Sequence, residues 1–94
     1  MRVEWLRAAM RDLDAETTRL AQEDLEQAIK TYDRVRSRVE ELAQFAHAGR
    51  PGRVSGTREL VFTELPYIVP YRVRDDVVQV LRIFHTSRRP PAAW

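Results

Sequence analysis

The chain has 94 residues, with sixteen basic and fourteen acidic side chains, a net charge of +2 and no cysteine. That length fits one domain and leaves no room for a second, and without cysteine there is no disulfide framework, thiolate metal site or cysteine nucleophile. Charges interrupt the first dozen residues, MRVEWLRAAMRD, and no apolar run approaches the roughly 20 residues that cross a bilayer, so the expectation is a soluble, cytoplasmic protein with no membrane partner.

The charge is unevenly spread. Residues 1–49 carry eight basic and ten acidic side chains, whereas residues 50–94 carry eight basic and four acidic ones. Fifteen of the sixteen basic residues are arginine, Lys30 being the exception. Arginine presents a rigid fork of donors suited to carboxylate or phosphate. A GC-rich coding sequence would supply the same excess without any role in recognition.

In chain order, MRVEW alternates, with Val3 and Trp5 on one side and Arg2 and Glu4 on the other, which suits a short strand. From Leu6 the period becomes helical: Leu6, Met10, Leu13, Thr17 and Leu20 form one stripe. Leu25, Ala28, Ile29, Tyr32, Val35, Val39, Leu42 and Ala46 form a second. Between them EDLEQ has no Gly or Pro, although Asp24 followed by Gln27 fits a capping box. The stripes differ in direction by only roughly 60° at about 100° per residue, which leaves one long helix over residues 6–48 open. A hairpin of two helices is the preferred reading, because a lone helix of about 40 residues does not fold back on so small a chain.

AGRPGRVSG, residues 48–56, gathers all three glycines and reads as a loop. TRELVF, YIVPYRVR and VVQVLRIFH then read as three strands, the last two joined by a tight RDD turn. Within YIVPYRVR, Tyr67, Val69, Tyr71 and Val73 share one face, while Ile68, Arg72 and Arg74 share the other. Pro70 donates no hydrogen bond, so an edge or a bulge is expected there. Strand, two helices, three strands is the pattern of an α+β domain, β-α-α-β-β-β, with a helical hairpin packed on one face of a small, mostly antiparallel sheet.

Few residues offer chemistry. His47 and His85, the only histidines, lie in different elements without an acidic partner at metal-ligand spacing, so no metal or cofactor is expected. Ser37, Ser55 and Ser87 sit in no nucleophile elbow, and there is no glycine-rich phosphate loop. Glu40 and Glu41 read as a solvated helix face. Trp5, Tyr67, Tyr71 and Phe84 have the surfaces to stack on bases, but their strand positions make them core residues first. Arg72, Arg74 and Arg82 are expected on the sheet face away from the helices, either as a basic surface for phosphate or an acidic protein, or as guards against edge pairing. His85 with Arg88 and Arg89 has the makings of a general acid or base with cationic stabilisers; the same cluster is also what a soluble strand end looks like.

Three stretches, RVEWLRAAMRDLD, AGRPGRVSGTREL and PYIVPYRVRDDVVQVLRIFHTSRRP, together resemble the RelE/ParE superfamily of bacterial toxins, in the right order and over nearly the whole chain. The resemblance implies the toxin of a type II toxin–antitoxin module, silenced by a cognate antitoxin in a toxin–antitoxin hetero-oligomer. RelE-like and YoeB-like members cut messenger RNA in the 70S ribosome; ParE-like members poison DNA gyrase. YoeB-like members use a glutamate just after the proline of the central loop, where this chain has Gly52 after Pro51, and an arginine near the third strand, where it has Ile68. RelE-like members rely on a lysine pair, but Lys30, the single lysine, falls in a helix. Arg53 and Arg58 can replace those cations, though a group that stays protonated is a poor base.

The resemblance therefore implies a ParE-like gyrase inhibitor with no catalytic residues of its own. The alternative is a ribosome-dependent endoribonuclease using Arg58, His85, Arg88 and Arg89; a degenerate toxin kept as a binding partner is a third reading. For the favoured one, the contact residues are Arg72, Arg74, Val78, Val80, Arg82, Phe84, Arg88 and Arg89. Val78, Val80 and Phe84 are expected to share a face with Arg82, giving an apolar patch framed by arginines for an amphipathic, acidic partner.

Overall fold

A computed structural model of the chain describes residues 1–87 and Trp94. The elements are β1 (Arg2–Trp5), α1 (Arg7–Glu23), α2 (Leu25–Glu40) followed by a 3-10 turn (Glu41–Ala43), β2 (Arg50–Pro51), β3 (Arg58–Val61), β4 (Tyr67–Arg74), β5 (Val77–Val80) and β6 (Phe84–His85). The sheet runs β1-β5-β4-β3-β2, with β6 also paired to β4. Every pairing is antiparallel except β1 with β5. The α+β arrangement read from the pattern is thus present, with the third expected strand split in two. No helix among the described residues is long and apolar enough to cross a membrane.

One residue makes two helices out of what would otherwise be one. Asp24 is extended (φ −158°, ψ 103°); its N–H donates to the Leu20 carbonyl at 2.8 Å, and its carboxylate accepts from the Gln27 N–H at 3.2 Å. It closes α1 and caps α2 at once. Because its own N–H is spent on Leu20, the cap works in one direction only, as an N-cap without the reciprocal half of a capping box.

The core lies between the hairpin and one sheet face. Ala9 and Leu13 of α1, Val35 and Val39 of α2 and Leu42 pack against Leu60, Tyr67, Val69, Tyr71, Val78 and Val80, all nearly or fully buried. Cross-strand register explains the selection. Tyr71 sits opposite Val80 and Val73 opposite Val78, so these point to the helices; Arg72 opposite Gln79 and Arg74 opposite Val77 point away.

The register also corrects the expectation that Val78 and Val80 share a face with Phe84. Tyr71 pairs with Val80 and Ile68 with Phe84, so residues 69 and 70 of β4 face residues 81, 82 and 83. The extra residue is a β-bulge, and it reverses the in–out alternation between β5 and β6. Counting back in twos from Phe84 therefore assigns Val78 and Val80 to the wrong side; they are core residues with no exposed surface.

The bulge lies where Pro70 requires one. On a strand, a residue's N–H and C=O point to the same neighbour. The Pro70 carbonyl accepts from the Leu81 N–H at 2.9 Å, so the donor that Pro70 lacks would have faced residues 81–83. β4 is central, not an edge, and the bulge is what lets it hold a proline. On the bulged strand, the Ile83 N–H turns to the Asp12 carboxylate of α1 at 2.9 Å, and the same carboxylate takes Arg82 Nε at 2.7 Å.

Candidate partner-binding face

Beyond the bulge, the sheet face away from the helices is only partly covered by the described residues. Arg72 and Arg74 project from β4 onto it. Arg72 Nε donates to Gln79 Oε1 at 2.7 Å. Among the described residues neither arginine has an ion pair, whereas Arg2, Arg19, Arg34, Arg38, Arg50, Arg53 and Arg82 all do. Beside these two arginines lies a groove of about 410 Å³, bounded by Leu6, Leu81, the 54–57 loop and Trp94.

The loop forming one wall is held from beneath. Glu59, 2% exposed, accepts from the Arg53 N–H at 2.9 Å, from Arg53 Nε at 3.4 Å, and from Arg50 Nε and Nη2 at 3.3 and 3.1 Å. Burial alone pushes its carboxyl up, but these donors outweigh burial and hold it below the ordinary value. Thr57 Oγ1 donates to the Val54 carbonyl at 2.6 Å, and Gly56 supplies the left-handed residue at the tip (φ +81°). The Trp94 indole N–H donates to Thr57 Oγ1 at 3.2 Å; its ring lies 5.2 Å from that of Phe84 and 5.7 Å from the Arg53 guanidinium. Phe84 is therefore part of this face, as expected from the sequence, and partly covered by Trp94.

Arg82 is not. It is bound to Asp12 on the helix side, and its guanidinium, 4.8 Å from the Phe84 ring, is held charged by that carboxylate first of all. Asp12 gave no signal in the sequence, since it reads as one more acid on a helix surface. Leu6, Leu81 and Trp94 were missed too: Leu6 and Leu81 look like ordinary core residues, and Trp94 lies outside every periodic segment.

The residues considered for RNA cleavage do not converge. Arg58 pairs with Tyr71 on one side of β4 and His85 with Tyr67 on the other. Four residues of strand separate those positions, about 13 Å. Arg58 Nη1 donates to the Gly49 carbonyl at 2.8 Å. His85 stands edge-on to Tyr67, centroids 5.6 Å apart, and its Nδ1 lies 3.1 Å from the Ser87 N–H and 2.6 Å from Ser87 Oγ. The Tyr67 hydroxyl donates to buried Glu16 at 2.7 Å; burial, then this carboxylate, push its ionisation up to about 12. Gly52 donates to the Thr57 carbonyl, and Ile68 pairs with Val61 and Phe84. Arg88 and Arg89 lie outside the described residues. Among the described residues no three His, Asp or Glu side chains gather as a metal site.

The family model described as "ParE toxin of type II toxin-antitoxin system, parDE" matches residues 3–90. The chain belongs to the ParE toxin family. A Sinorhizobium fredii protein named "Putative toxin Y4kP" is 37% identical over 90 residues, which is 96% of this chain and 93% of that protein. A solved structure titled "Chromosomal ParDE TA system from P. aeruginosa" superposes with a TM-score of 0.85 at 35% identity, covering 90% of this chain and 95% of that one. This ParE-family toxin therefore shares with a solved relative the helical hairpin and sheet that carry Arg72, Arg74 and the groove.

Proposed function

We propose that this toxin inhibits DNA gyrase by binding it in the cytoplasm, and that a cognate antitoxin silences it in a hetero-oligomer. The observation that carries the reading is the separation of Arg58 from His85 across β4. Cleavage by a 2′-hydroxyl needs a base, an acid and a cation around one phosphate, within hydrogen-bond reach of the atoms that react. Arg58, tied to a backbone carbonyl, and His85, on the far side of the strand, do not meet that condition. Membership of the ParE family and the solved relative titled as a ParDE system support the same reading.

Purified protein is expected to inhibit DNA supercoiling by gyrase. Equimolar product of the adjacent reading frame, the expected antitoxin gene, should restore supercoiling. His85→Ala should inhibit as well as the parent. Cleavage of messenger RNA on translating ribosomes without an effect on gyrase, abolished by His85→Ala, would overturn the proposal in favour of a ribosome-dependent nuclease.

A further inference from the structure

We infer that two copies of this chain associate edge to edge through β1, antiparallel about a two-fold axis at Val3, so that their sheets become one. This self-association is independent of the choice of target.

The two ends of the sheet are unlike each other. β2 is two residues long, and one of them is Pro51, which has no N–H to offer a further strand. β1 has four residues, no proline and a single neighbour, β5. The Leu6 N–H donates to the Val80 carbonyl at 3.0 Å. Successive residues of a strand turn their N–H and C=O to alternate sides, so Arg2 and Glu4 face β5 with Leu6, while Val3 and Trp5 face outward. Among the described residues, no backbone hydrogen bond outside the ladders engages Val3 or Trp5. An open row of this kind is a template for another strand.

Charge selects the occupant and the register. In an antiparallel pair of identical strands the outward-facing residues must oppose one another. Two pairings do this while overlapping three of the four residues of β1, one centred on Val3 and one on Glu4. The second sets Glu4 directly against Glu4 of the other copy, and like charges so placed repel. Centred on Val3, each Arg2 lies opposite the Glu4 of the other copy, at the pairs where side chains come closest. Within one chain Arg2 and Glu4 meet at 3.4 Å with side chains 74% and 43% exposed, a weak pair that gives way at little cost.

Four residues of strand bury too little for a stable contact, which takes about 1,200 Å². The apolar surface beside β1 supplies the rest. The Met1 amine donates to the Ala43 carbonyl at 3.1 Å, two positions before Phe45, and Met1 and Phe45 are 51% and 64% exposed. The Arg36 guanidinium lies 5.1 Å from the Trp5 ring and 5.9 Å from that of Tyr32. That contact joins β1 to one stripe of α2, on which Ile29 and Leu25 are 55% and 64% exposed. The two-fold axis stands perpendicular to the joined sheet, so both hairpins lie on the same side of it and the two stripes face each other. Apolar side chains this exposed, next to an open strand edge, mark an association surface.

Sedimentation of the purified chain at rising concentration should show its mass moving from 11.0 kDa towards twice that value. A substitution enters a symmetric interface twice, so Glu4→Arg sets arginine against arginine at two places and should weaken association at least about tenfold. Arg2→Glu/Glu4→Arg exchanges the charges and should restore it to within about threefold of the parent. Ile29→Asp should weaken it as well. Thermal denaturation checks that each variant is folded, and Arg2→Glu, which creates the opposite clash, replaces Glu4→Arg if that variant does not fold. A parent that stays at 11.0 kDa at every concentration would overturn the inference. So would a folded Glu4→Arg that associates like the parent, or a charge exchange that fails to restore association. Association lost in Ile29→Asp alone would place the copies helix to helix and overturn the pairing through β1. None of these outcomes bears on gyrase inhibition, which is measured separately.

Discussion

The two faces of β4 and β5 are built from the same strands and are governed by different forces. On the helix side Tyr67, Val69, Tyr71, Val78 and Val80 are at most 2% exposed and pack against both helices. On the other side the alternating positions carry Arg72, Arg74, Gln79 and Val77, with the 54–57 loop, Leu6, Leu81 and Trp94 nearby among the described residues. The first face holds the domain together by burial. The second carries its charge without internal ion pairs among the described residues.

The largest effect should come from Tyr71. Its ring is fully buried, and its hydroxyl donates to the Ala46 carbonyl and accepts from the Gly49 N–H, both at 2.8 Å. Gly49 is glycine because a Cβ there would lie 2.7 Å from the Tyr71 ring and 2.9 Å from the Glu59 carbonyl. Urea denaturation of Tyr71→Ala should show a loss of about 3–5 kcal/mol. A loss under about 1 kcal/mol would mean that the face is not the core described.

Next comes the clamp on the bulge. Asp12→Ala frees both Arg82 and the Ile83 N–H and should cost about 2 kcal/mol in the same measurement. Asp12→Asn should recover part of that loss, because an amide oxygen still accepts from Ile83.

The loop under the groove should be acid-sensitive. The Glu59 carboxyl is held below its ordinary value of 4.5, so its contribution to stability is complete above about pH 4.5 and disappears as pH falls through the depressed value. At the other extreme, Tyr67 stays protonated up to about pH 12, so folding should weaken as pH rises from about 10, where an unfolded tyrosine ionises, towards 12. Denaturation midpoints across pH should lose the acid step in Glu59→Gln and the alkaline step in Tyr67→Phe.

Smaller still is the turn that joins the strands. Asp75 and Asp76 both have positive φ, 53° and 60°, in a two-residue hairpin that glycine or asparagine suits better. Asp76→Gly should raise stability by about 0.5–1 kcal/mol. Smallest of all, Arg74→Ala should change stability by less than about 0.5 kcal/mol, and a larger loss would show that the open face is structural after all.

Much of the architecture was legible because it rests on local spacing. The alternation in β1 and β4, the two helical stripes, the Asp24 break and the glycine-rich loop are all short-range patterns whose period matches the element they form. The candidate face was legible in part. Arg72 and Arg74 were placed correctly by alternation within one strand, while Val78, Val80 and Arg82 were misplaced because alternation was carried across an inserted residue.

By itself, then, the sequence determined the order and type of the main elements and the direction of side chains within each unbroken strand, while it left one long helix over residues 6–48 open until the extended Asp24 divided it. Tertiary structure decided the rest: the bulge at residues 81–83, the partnership of Arg82 with an aspartate 70 positions earlier, and the seat of Trp94 against Thr57 and Phe84. A period of two is a property of neighbouring residues, but one extra residue reverses it, and which strand absorbs that residue depends on what its partner across the sheet cannot donate.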